Sequence, residues 1–138
     1  MSLVLDSSAT LAWIFDDETT DAIRAVFDQV AVAGAVVPSL WRLEVANSLT
    51  MAVRRHRVDD QFRQASLADL ALLDIAIDQQ TDSMAWLGTM RLADQFRLSL
   101  YDASYLELAI RRKLPLASLD QDLNAAALAT GTRVLGQA

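Results

Sequence analysis

The feature that most restricts the fold of this chain is an alternation. Short, almost wholly apolar runs alternate with longer stretches whose apolar residues recur at i, i+3, i+4 and i+7. Three apolar runs, at 3–5, 35–37 and 114–119, are bounded by Pro, Gly or Asp, and two weaker ones lie at 75–77 and 132–135. Helical periodicity covers 8–14, 19–31, 40–56, 60–73, 81–97, 102–112 and 121–129. A strand that is apolar on both faces must be covered on both faces. The order therefore predicts an α/β three-layer sandwich, with a short, mostly parallel sheet of four or five strands between two layers of helices. Neither a repeat nor a Gly- or Pro-rich linker breaks the pattern, which predicts one domain over residues 1–138.

A domain of this length buries about two-thirds of its unfolded surface and needs no covalent staple. The absence of Cys excludes disulfides, thiolate nucleophiles, iron–sulfur clusters and Cys-based zinc sites, and it fits a reducing, cytoplasmic setting. Asp6 interrupts the only apolar run near the N-terminus, and no apolar run reaches the length of a membrane span. Neither a secretory leader nor a spanning helix is expected.

Open parallel sheets place their ligands outside the carboxyl ends of the strands, so the acids at those ends are the first candidates. Eighteen acids stand against twelve basic residues for a net charge of -6, and all but Glu18, Glu44 and Glu107 of those acids are Asp. Such an excess suits caps, turns and hard-cation ligands better than helix surfaces, although a coding bias toward Asp, Arg and Ala produces it too. Asp6 follows the first run, Asp120 follows the run at 114–119, and the helix at 103–112 would start on Asp102. Glu44 lies in a largely apolar helix and shares a face with Asn47. Each acid has a plainer explanation: Asp6, Asp102 and Asp120 as helix N-caps, Glu44 as a surface partner of Arg42 or another Arg. Four carboxylates held together cannot all stay ionised without a compensating charge, and hard cations such as Mg²⁺ or Mn²⁺ supply it. The sole His, His56, sits among Arg54, Arg55 and Arg57, which argues against a zinc site.

The residues also carry a resemblance. The strand ending in Asp6-Ser7-Ser8, the helix with Leu43-Glu44-Val45-Ala46-Asn47, the segment Tyr101-Asp102-Ala103-Ser104-Tyr105-Leu106 and the stretch Ser118-Leu119-Asp120-Gln121-Asp122 resemble the four acidic motifs of PIN-domain ribonucleases. Their order, spacing and total length are similar to those of VapC-type toxins of toxin–antitoxin pairs. The resemblance implies a PIN-like fold and an Mg²⁺- or Mn²⁺-dependent endoribonuclease that cleaves RNA by metal-activated water. Asp6, Glu44, Asp102 and Asp120 would be its catalytic metal ligands. Ser8, Asn47 and Ser118 would orient ligands or water, and Asp122 would assist or merely cap. It further implies a homodimer and a VapB-type antitoxin whose peptide crosses the acidic site. The stretch 97–100 lacks the Gly often present before the third motif, which bears on the shape of that loop.

An acidic body repels a polyanion, so RNA has to be held by local cations: Arg42 beside the acid, and Arg54, Arg55 and Arg57 at the end of its helix. Those cations also suit a helix C-terminus. Trp41 could stack a base or fill the core, and the stretches 11–15 and 40–53 could do the same or form an interface. The acidity predicts selectivity for structured RNA. Two other readings remain. In an Mg²⁺-dependent aspartyl-phosphate domain of receiver or phosphatase type, Ser8 occupies the place of a second Asp and Lys113 is the only Lys available. In a non-catalytic PIN-like or helical adaptor, the acids are all caps.

Overall fold

Val4 and Leu5 form β1 (Val4–Leu5), fully buried and central in a five-stranded, wholly parallel sheet of order β3-β2-β1-β4-β5. The computed structural model describes residues 1–137. After β1 come α1 (Ser7–Ile14), a 3₁₀ turn at Asp16–Glu18, α2 (Asp21–Ala33), β2 (Ala35–Val37), α3 (Trp41–Arg54), α4 (Asp60–Ala71) and β3 (Ile75–Ile77). The second half runs through α5 (Thr81–Met84), a kinked turn at Ala85–Thr89, α6 (Met90–Phe96), α7 (Leu100–Arg112), β4 (Leu116–Ala117), α8 (Gln121–Ala129) and β5 (Val134–Leu135). Val4 pairs with both Val36 and Leu116, and Leu5 pairs with Ala117.

The three inner strands are buried on every residue, whereas the edge strands β3 and β5 are partly exposed. That difference explains why the two edges are the weaker apolar runs of the sequence. From β1 the chain moves outward to β2 and β3, then returns to the other side of β1 for β4 and β5. Right-handed crossovers in opposite directions put their helices on opposite faces. Accordingly α1 packs on α2 and α3, while α7 packs on α6, α8, β1 and β4. The order reverses between β1 and β4, which makes the crevice beyond those two strand ends the switch point of the sheet.

Local chemistry sets the boundaries. Thr20 caps α2 by accepting from the Ile23 N–H, and Asp59 caps α4 by accepting from Phe62. Gly34 turns from α2 into β2 at φ 75°, and a Cβ there would stand 2.8 Å from the Asp74 carbonyl oxygen.

Two expectations change. The periodic stretch at 81–97 is not one helix: it is broken by a kink at Leu87, whose φ -115° and ψ -110° are not helical, next to Gly88. A kink changes the path of the backbone and leaves the apolar pattern in place, so periodicity does not reveal it. The helix expected to start on Asp102 begins at Leu100, because the Ser99 hydroxyl accepts the Asp102 N–H at 3.1 Å. Among the described residues no helix is long and apolar enough to cross a membrane.

Candidate active site

Asp6 leaves the end of β1, Asp120 opens α8 after β4, Glu44 lies in the first turn of α3 and Asp102 in the first turn of α7. Four elements thus deliver four acids to the carboxyl edge of the sheet, around the switch point between β1 and β4.

Asp6 is only 3% exposed. Its Oδ2 accepts from the Ser8 hydroxyl at 2.6 Å and from the Ser118 hydroxyl at 2.7 Å. Both hydroxyls have second duties: Ser8 accepts from the Leu119 N–H at 2.9 Å and Ser118 from the Asp120 N–H at 3.0 Å. The two serines therefore tie the end of β1 to the β4–α8 turn. Asn124 braces that turn from behind, its Nδ2 donating to the Ser118 carbonyl at 2.8 Å. Glu44 accepts a hydrogen bond from the Tyr105 hydroxyl, which joins α3 to α7.

The cap explanation separates the acids. Asp120 is an N-cap, its Oδ1 accepting from Leu123 at 2.9 Å. Asp6 occupies the cap position of α1 but makes no side-chain cap bond, and Asp102 lies beyond the cap supplied by Ser99. The surface-pair explanation for Glu44 is removed as well. Among the described residues no Arg or Lys lies within 4 Å of any of the four carboxylates.

Charge accumulates without compensation. Burial pushes the Asp6 carboxyl above its ordinary range, with a smaller push from Asp120, although the two serines oppose it. Burial also raises Glu44, against the pull of Tyr105 and with the aid of Asp6 and Asp102. Asp102 is pushed up to about 6, first by burial and then by Asp120 and Asp6, with Asp122 adding to them. The Tyr105 hydroxyl is raised by burial and by its bond to Glu44, so it stays a protonated donor.

The remaining residues singled out in the sequence are scattered. Asn47 is exposed in a groove with Leu11, Phe15 and Met51 and makes no hydrogen bond with the acids. Arg57 pairs with Asp17 and Glu18 at 3.0 and 2.8 Å and lies 3.9 Å over the Phe15 ring, so it is a structural clasp rather than a free cation. Arg54 and Arg55 are exposed but lie about 15 Å along α3 from Glu44. Arg42 is exposed and lines an apolar groove with Trp41, Val45, Leu67 and Ile77 that contains none of the four acids. Trp41 does not offer a face to a base: it is buried, and its indole N–H donates to Thr10 Oγ1 at 3.1 Å. Lys113 ends α7, about 16 Å along the helix from Asp102, too far for the role a receiver domain requires. The roles of Tyr105, Ser99 and Asn124 are not apparent from spacing alone. For Tyr105 a signal existed, since it lies three residues after Asp102 on the same helical face.

The donor set, all carboxylate with flanking hydroxyls, has the chemistry of a site for a hard cation. Among the described residues, however, no three His, Cys, Asp or Glu side chains already stand close enough to hold an ion together. A bound cation would need water molecules or small side-chain rotations to complete its shell, as Mg²⁺ commonly does.

The sequence matches the family model described as PIN domain over residues 3–128. The fold is similar to that of the crystal structure of PAE2754 from Pyrobaculum aerophilum, with a TM-score of 0.70 and 24% identity, over 97% of this chain and 89% of that one. No curated protein sequence matches.

Proposed function

The chain belongs to the PIN-domain family, whose members are generally nucleases, and on that premise we propose that it is an Mg²⁺- or Mn²⁺-dependent endoribonuclease acting as the toxin of a type II toxin–antitoxin pair. One observation carries the reading: four acids from four elements converge at the switch point, three of them with raised pKa, and no cation among the described residues neutralises them. Keeping such a cluster costs stability that a purely structural protein has no reason to give up.

Asp6, Glu44, Asp102 and Asp120 would hold the cation. Such a cation, Mg²⁺ or Mn²⁺, would supply Lewis acidity, to lower the pKa of water and to offset charge on the scissile phosphate. The protein's own part is preorganisation. Ser8 and Ser118 fix one oxygen of Asp6 and leave Oδ1 for other partners. Tyr105 orients Glu44, Asp120 keeps one oxygen outside its capping bond, and Asp102, pushed up to about 6 by burial and by Asp120 and Asp6, can take up or release a proton near neutral pH. Substrate selectivity for structured RNA follows from the net charge of -6, which resists indiscriminate attraction to polyanions. High activity on unstructured homopolymer RNA would contradict it.

The exposed side chains Trp86, Leu87, Met90, Leu100 and Tyr101 offer an apolar surface to a second copy or to an antitoxin. By contrast Ala12, Ile14 and Phe15 are core, Trp13 stacks on Phe27 at 4.4 Å, and on α3 Leu43 is the exposed exception. A mass of one chain in light scattering at micromolar concentration would remove the dimer, and harmless expression of the chain alone would remove the toxin role.

The central test is substitution. Asp6→Asn and Asp102→Asn are expected to fold normally and to lose cleavage of total RNA in Mg²⁺ or Mn²⁺ by at least a hundredfold. Full activity of purified Asp6→Asn protein would overturn the assignment.

A further inference from the structure

We propose that Arg97 binds the RNA backbone beside the acidic site, holding a phosphate adjacent to the one that is cleaved; this rests on the ribonuclease reading. Arg97 ends α6 with φ 56° and ψ 43°, the left-handed conformation that glycine takes freely and other residues take at a cost. His56 and Lys113 hold the same conformation, so the backbone alone does not single Arg97 out; its surroundings do.

That side chain is available. Arg97 is exposed and has no ion-pair partner among the described residues, whereas Arg24, Arg57, Arg63 and Arg111 are all engaged by carboxylates. It is also well placed. It stands two residues before Ser99, the cap that sets the first turn of α7 and with it Asp102. With Phe96, Asp122, Ala125 and Ala126 it lines an open cleft of about 310 Å³, and Asp122 lies within electrostatic reach of Asp102. The cleft therefore continues the acidic site toward α8, walled there by small side chains that leave room for a sugar–phosphate chain. A guanidinium meets a phosphate with paired N–H donors, and it does so here without surrendering an internal ion pair. Of the cations singled out in the sequence, Arg57 is clasped, Arg54 and Arg55 lie at the far end of α3, and Arg42 lines an apolar groove that contains none of the acids, so Arg97 supplies attraction where the acids leave a deficit.

A helix C-terminus also favours a cation through its dipole, and the test separates that role from RNA contact. Binding of a fluorescein-labelled RNA hairpin is measured by anisotropy in Ca²⁺ buffer free of Mg²⁺ and Mn²⁺, across a range of salt, for wild type, Arg97→Gly and Arg97→Lys. Arg97→Gly is expected to bind about tenfold more weakly and to reduce the slope of log Kd against log salt by about one, while Tm holds or rises. Arg97→Lys recovers the slope and part of the affinity. In cleavage assays with Mg²⁺ the loss falls on KM, with kcat within about twofold of wild type. Wild-type affinity and salt slope in Arg97→Gly overturn the proposal, and a lowered Tm with unchanged binding assigns the residue to the dipole alone. Arg97-dependent hairpin binding by a wild type that cleaves no RNA defeats the ribonuclease reading and leaves the contact standing. A wild type that binds no hairpin defeats the proposal outright.

Discussion

At Asp6 the surroundings, rather than the residue type, set the state of the carboxyl. Two serine hydroxyls hold one oxygen, burial resists its charge, and among the described residues no cation pairs with it. With Asp102 and Glu44 raised as well, the pH dependence has a definite sign. A carboxyl whose folded pKa lies above its unfolded value binds protons more tightly when folded, so its stabilising effect is full below the unfolded pKa and is lost as pH rises through the folded one. For Asp102 that window runs from 3.8 to about 6. In metal-free buffer the Tm is therefore expected to fall as pH is raised from about 4 to about 7, and Asp102→Asn to flatten that decline. A Tm that climbs across the same window in EDTA would mean the acids are compensated in a way the structure does not show. At this scale the sequence exposed the acids and Ser8 and Ser118, because short motifs place Asp6, Ser8, Ser118 and Asp120 around strand ends and Glu44 and Asp102 near helix starts. It did not expose the burial of Trp41 or the clasp on Arg57, since both depend on partners 31 to 40 residues away.

Among the elements, α7 carries most of the connections. Residues 103–109 are buried without interruption, so the helix is enclosed on all sides and includes polar groups that need partners. Glu107 finds Arg111 at 2.9 Å, and Arg111 reaches across to Asp78 at the end of β3 at 2.7 Å. Burial would raise Asp78, but Arg111 and Thr81 outweigh it and hold the carboxyl below its ordinary value. Removing the cation would strand two carboxylates whose side chains are 4% and 7% exposed. Arg111→Met is thus expected to cost about 3 kcal/mol in urea unfolding, and a loss under about 1 kcal/mol would show that water replaces the guanidinium. In the sequence Arg111 looks like an ordinary C-terminal cation, because Asp78 lies 33 residues away. The left-handed Arg97 was legible only as a missing glycine, and the kink at Leu87 not at all. Periodicity reports which face is apolar, not how the backbone steps between turns.

For the whole molecule, topology and charge act together. The reversal of strand order at β1 and β4 opens a crevice, and the acids gather there, so on the proposed metal-dependent function a bound cation should also stabilise the protein. Mg²⁺ or Mn²⁺ at about a hundred times its Kd is expected to add about 2.7 kcal/mol, a Tm rise on the order of 5–10 °C, and Asp102→Asn to lose most of it. A rise unchanged in that variant would place the ion elsewhere and favour an adaptor whose acids do not act together. Residue order by itself determined the layered α/β class, the strands and most helices, and it offered the four acids as candidates. All of these rest on local periodicity and on short motifs whose spacing survives in one dimension. Which acid is a cap, which arginine is free and which aromatic is core were decided by the tertiary structure, because hydrogen bonding, burial and charge act between residues that only the folded sheet brings together.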